Sequence, residues 1–105
     1  MTGRGRRETS PRYRLVVAGP ADRRISEKLP EPVAAAVAEF MTGELLAEPH
    51  RVGKQLGGPL EGIWSARRGS YRVLYEIGEE AHTVTVMDVA HRGDAYRPRG
   101  SRRRR

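Results

Sequence analysis

At 105 residues and 37% apolar content the chain can build one domain with a modest core and no more. The absence of cysteine excludes disulfides and thiolate metal sites, and no apolar run approaches the ~18 residues of a membrane span. The formal charge of +7 resides in the ends: residues 1–11 carry +2 and residues 97–105 carry +6, while 11 basic and 12 acidic residues leave 12–96 at −1. The high isoelectric point is therefore no sign of a basic body. Inside that body the charges segregate: Arg51, Lys54, Arg67, Arg68 and Arg72 stand against Glu61 alone, a local positive field suited to an anionic substrate.

Residues 1–11 lack apolar content and are expected to be a disordered basic extension; without an apolar signal segment they point to a cytoplasmic protein. Arg12 to Ala18 alternates and is β-rich, predicting a first strand. Gly19-Pro20 breaks it, and Pro20 suits the first turn of a short helix over about Ala21 to Leu29. Pro30 and Pro32 restart a longer helix, in which Val33, Val37, Phe40, Met41, Leu45 and Leu46 form an apolar stripe facing a core. Pro49 ends it, and His50 to Pro59 reads as a loop rich in glycine and basic residues. Two strands joined by Gly69-Ser70, a turn at Gly78-Glu79-Glu80 and a last strand from His82 to Ala90 complete the order β-α-α-β-β-β. This predicts an α+β domain over residues 12–97, two helices packed on one face of a small antiparallel-type sheet, followed by a disordered Arg-rich tail over 98–105.

The hairpin is the most informative segment. A two-residue loop at Gly69-Ser70 sets Arg68 opposite Tyr71, Arg67 opposite Arg72, Ala66 opposite Val73 and Trp64 opposite Tyr75. Alternation then divides the side chains: Trp64, Ala66, Arg68, Tyr71, Val73, Tyr75 and Ile77 on a mostly apolar face, and Ile63, Ser65, Arg67, Arg72, Leu74 and Glu76 on the other. Like charges directly opposite one another destabilise a sheet, so the Arg67–Arg72 pair suggests an anion between them, and a phosphate above all. Two arginines alone are equally compatible with a solvated hairpin end.

His91-Arg92-Gly93-Asp94-Ala95-Tyr96 adds an imidazole, a guanidinium, a carboxylate and a phenol within six residues. Metal-free RNA cleavage requires such groups: a base for the ribose 2′-hydroxyl, cations for the charge on the phosphorane and an acid for the 5′-oxygen. An antiparallel meander makes this last strand a neighbour of the strand carrying Arg72. A polar strand end with a packed-back tyrosine is the alternative. His50 and His82 are assigned to ordinary surface or capping roles, and three widely spaced histidines make no metal site.

Three segments together resemble the RelE/ParE family of toxins of bacterial type II toxin–antitoxin modules, specifically the RelE-like mRNA interferases. They are Gly53-Lys54-x-Leu56, the run Leu60-Glu-Gly-Ile-Trp-Ser-Ala-Arg-Arg-Gly-Ser-Tyr-Arg-Val-Leu-Tyr75, and Val89-Ala-His-Arg-x-Asp-x-Tyr96. The resemblance spans about Tyr13 to Arg97 and implies a RelE-like fold and a metal-independent endoribonuclease with no cofactor. It further implies cleavage of mRNA in the ribosomal A site by 2′-hydroxyl attack on the scissile phosphate. The implied partners are a cognate antitoxin (RelB-like or Phd/YefM-like), mRNA and the ribosome, with operator DNA reached only through the antitoxin and no membrane. By motif, Arg72 matches the arginine that contacts the scissile phosphate. Arg92 and Tyr96 match residues with phosphate-stabilising and stacking or proton-transfer roles; Arg67 lies on the strand entering the same site, and His91 corresponds loosely to a base of some branches. Lys54, Arg51 and Arg68 are the expected RNA-binding residues. The chain departs from the pattern where the best-known members carry lysines, at Ile63 and Ser65, which leaves the general base open among His91, Tyr96 and Lys54. Two rivals share the fold: a gyrase inhibitor of the ParE branch, and a catalytically weak ribosome- or RNA-binding protein.

Overall fold

The computed structural model describes residues 12–91. The terminal extensions, and Arg92 and Tyr96 of the closing motif, lie outside the described residues.

Strand β1 (Arg14–Val17) hands over at Ala18 to helix α1 (Gly19–Glu27). Pro20 occupies the first turn, where its missing N–H costs nothing, and the Asp22 amide closes the first helical bond onto the Ala18 carbonyl at 2.9 Å. Helix α2 (Glu31–Thr42) likewise starts with a proline in its first turn. The expected long helix breaks at Gly43, whose backbone leaves the helical region at φ −112° and ψ −101°; a single further turn, α3 (Glu44–Ala47), carries Leu45 and Leu46 into the core. After it come β2 (Lys54–Gln55), β3 (Trp64–Arg68), β4 (Tyr71–Gly78) and β5 (Thr83–His91). Strand β2 arises within the segment read from sequence as a loop. Two residues between Gly53 and Leu56 leave no periodic trace.

The five strands form one sheet in the order β1-β5-β4-β3-β2. The sheet is mixed, which corrects the antiparallel expectation: β1 runs parallel to β5, with Leu15 beside Val84 and Val17 beside Val86. The helical connection carries the chain to the far edge, where β2 runs opposite to β1, and the three antiparallel pairings β2–β3, β3–β4 and β4–β5 then bring β5 back beside β1 in the same direction. β3 and β4 pair in the register set by the two-residue turn, Arg67 opposite Arg72 and Trp64 opposite Tyr75.

The helices cover one face of this sheet. Ala21, Val37, Phe40, Met41 and Leu45 pack there against Ala66, Tyr71, Val73, Tyr75, Val84, Val86 and Val89, all buried. A bulge interrupts the β4–β5 ladder between Leu74 and Tyr75, so that Leu74 faces Asp88 while Tyr75 faces Val86. It shifts the alternation of β5 by one residue: Val84 and Val86 precede it and Val89 follows it, all inward. Consequently Ala90, not Val89, lies opposite Arg72.

Candidate active site

The uncovered face of the sheet carries the candidate site. Arg67 and Arg72, cross-strand neighbours at the turn end, are both exposed. Lys54 pairs with Ser65 across the β2–β3 ladder, and directly opposed residues share a face, so Lys54 joins the arginines there. Together with Arg51, Val52, Gly53, Leu56 and Ser65, these three cations line an open depression of ≈ 500 Å³. Among the described residues no carboxylate lies within ion-pair distance of Lys54, Arg67 or Arg72. Asp88, the nearest acid on β5, is held instead by Arg24 of α1 at 3.3 Å and accepts the Val89 amide at 2.8 Å. Arg51 contributes from the rim with its guanidinium on Glu48 at 2.9 Å. The residue opposite Arg72 on β5 is the small Ala90. The depression is thus a cationic surface with unspent charge, chemically matched to a phosphodiester.

The loop that delivers Lys54 is fixed from the core. Tyr75 is fully buried, and its hydroxyl donates to the Pro49 carbonyl at 2.7 Å; burial raises its pKa to about 12, against a smaller lowering by Arg68. Gly53 lies flat on that hydroxyl. A Cβ there would stand 2.3 Å from the Tyr75 oxygen and 2.9 Å from the Ser65 carbonyl, so only glycine fits. On the other side of the loop His50 packs edge-on to Trp64 and pairs with Glu79 at 2.5 Å. The Glu79 carboxyl, chiefly through that His50 bond, titrates below the usual carboxylate range; it also accepts from the Tyr13 hydroxyl at 3.1 Å. Tyr13 in turn stacks on His82 with centroids 3.8 Å apart. His50 and His82 therefore serve as struts at the β4–β5 turn, remote from the arginine pair.

Two of the residues expected to act together do not join this group. Arg68 points to the helix side, where it pairs with Glu44 at 3.3 Å and lies 4.8 Å over the Phe40 ring. Strand alternation requires this once Arg67 faces outward. His91 is opposite Tyr71, whose ring is buried and whose hydroxyl reaches the Ala36 carbonyl of α2; the bulge has turned His91 to the helix side, away from Arg72. Gly53 stood out in the sequence only as part of the Gly53-Lys54-x-Leu56 segment; its packing role carries no signal until Tyr75 is placed beneath it.

Comparison with known proteins bears on the family and the fold. The family model "ParE toxin of type II toxin-antitoxin system, parDE" matches residues 11–96. The chain is 46% identical over 85 residues to Toxin RelE of Mycobacterium tuberculosis, covering 81% of this chain and 87% of that protein. It is 53% identical over 75 residues to Toxin RelG of the same organism, covering 71% of this chain and 86% of the other. Among solved structures, the toxin–antitoxin complex RelBE2 of M. tuberculosis superposes with a TM-score of 0.76 at 46% identity, over 78% of this chain and 100% of that one.

Proposed function

The chain belongs to the RelE/ParE family of toxins of type II toxin–antitoxin systems, and on that premise we propose that it is an endoribonuclease that cleaves mRNA on the ribosome and so stops translation. The observation that carries this is the group of Lys54, Arg67 and Arg72 around one depression, with no carboxylate in ion-pair reach of them among the described residues. Arg67 and Arg72 receive the scissile phosphate from adjacent strands. As the ribose 2′-oxygen attacks, charge accumulates on the phosphorane oxygens, and fixed guanidinium donors stabilise that state more than the ground state. Arg92 and Tyr96, outside the described residues, are assigned by motif to further phosphate contact and to stacking or proton transfer. Neither metal nor cofactor is required for these steps.

We also propose a cognate antitoxin as partner. The complex of a similar toxin with its antitoxin supports it, as does an uncovered cationic face that a disordered acidic segment can wrap. Action on the ribosome places the protein in the cytoplasm; among the described residues no helix is long and apolar enough to cross a membrane.

The ParE description of the matching family model supports a second reading, inhibition of DNA gyrase. Inducing the toxin in cells separates the two. Mapping of mRNA 5′ ends should show new cuts within coding regions minutes after induction, with plasmid supercoiling unchanged. Loss of supercoiling or a DNA-damage response, with intact mRNA, selects the gyrase reading instead.

A further inference from the structure

A ribonuclease site needs a proton for the departing 5′-oxygen, and guanidinium groups are poor sources because they hold their protons at any accessible pH. Among the described residues, the polar side chains around the depression are Arg51, Arg67, Arg72, Ser65 and Lys54. Of these, the ammonium alone is charged and also able to give up a proton. An alkoxide is a far stronger base than an amine, so transfer from an ammonium to it is downhill.

We propose that Lys54 is the proton donor to the 5′-oxygen, a role that rests on the endoribonuclease reading and extends it. Lys54 stands across from Ser65, two residues along β3 from Arg67 on the same face, a step of roughly 7 Å that the flexible lysine stem spans. Ser65 is small and neutral, and among the described residues no carboxylate competes for the ammonium; the charged groups facing it across the depression are all arginines. The loop carrying it is fixed by Gly53 against the Tyr75 hydroxyl and by the Tyr75 bond to Pro49, which sets the direction from which the proton arrives. In the step itself the ribose 2′-oxygen bonds to phosphorus and its proton passes to water. The P–O5′ bond breaks with its electron pair on the 5′-oxygen, which takes a proton from Lys54 Nζ. The neutral amine is then reprotonated from solvent. The products are a 2′,3′-cyclic phosphate and a 5′-hydroxyl.

Single-turnover cleavage on programmed ribosomes tests this with two mRNAs, one normal and one with sulfur in place of the scissile 5′-oxygen, since a thiolate leaves without a proton. Lys54→Ala and Lys54→Arg should each slow cleavage of the normal mRNA by about 10²-fold or more, the scale of general acid catalysis. On the sulfur substrate both should come within a few-fold of the wild type, while Arg72→Ala stays slow on both. Melting temperatures should be unchanged, Lys54 being exposed. Lys54→Arg cutting the normal mRNA at the wild-type rate would reduce the residue to a charge and overturn the donor role. So would Lys54→Ala staying equally slow on sulfur. Either leaves the ribonuclease reading standing, whereas a wild type inert on both substrates removes the two together.

Discussion

Arg67 and Arg68 are neighbours in sequence with opposite duties. Arg67 meets Arg72 across the ladder in the open, whereas Arg68 turns inward to Glu44 and the Phe40 ring. Arg68→Ala should therefore cost stability, about 1 kcal/mol from a half-exposed ion pair and a cation–π contact, and leave the cleavage rate within two-fold of wild type; thermal melting and a cleavage assay on the same preparation check it. Tyr75 answers to a different variable. Its hydroxyl pKa is raised to about 12 by burial, so the folded state favours the protonated phenol. That contribution is whole below the ordinary tyrosine value of about 10 and is lost as pH rises from there through 12. Tyr75→Phe should lack this alkaline loss, at the expense of the Pro49 bond. Denaturant titrations between pH 8 and 12 should show the two stability curves converging as pH rises. The pairing of Arg67 with Arg72 was legible in the sequence because a two-residue turn and strict alternation fix register locally. The side taken by His91 was not. It depends on the bulge, whose one trace is the odd spacing from Val86 to Val89 among the buried valines.

Among the elements, the segment from Pro49 to Gln55 links core to site. It contains the shortest strand of the sheet, yet Lys54 has a defined place because Gly53 lies against a buried hydroxyl and Leu56 donates its amide to the Ile63 carbonyl at 2.8 Å. Gly53→Ala puts a Cβ where the Tyr75 oxygen is. The loop must lift, at about 1–3 kcal/mol for overpacking, and Lys54 moves with it. The expected outcome is a fold that survives with cleavage reduced far more than the melting temperature suggests, measured by calorimetry beside single-turnover rates. Little of this was legible: a Gly-rich run reads as loop, and the hydroxyl that organises it lies more than twenty residues further along the chain. The parallel β1–β5 pairing was equally hidden, since alternation identifies a strand but says nothing of its partner over so long a connection.

Across the whole molecule the sheet divides the labour. One face buries the aliphatic stripe of α2 and α3, and the other offers cations that folding does not use. This division was legible, because the helical stripe and the hairpin alternation both sort apolar from charged side chains without reference to partners. Binding to the ribosome–mRNA complex should fall steeply with salt, and removing any one of Lys54, Arg67 or Arg72 should shallow the log–log slope by roughly one unit if each neutralises a phosphate. Titrations between 50 and 300 mM salt would show it. The central claim is that the uncovered face, and not the helical one, holds the phosphate. It is tested most directly by the single-turnover cleavage rate of Arg72→Ala on programmed ribosomes, with the melting temperature of the same sample. The account predicts a fall of about 10²–10³ in rate with a melting temperature equal to or slightly above the wild type, because the opposed charges are relieved. A variant that cleaves at the wild-type rate, or one that unfolds, would contradict it.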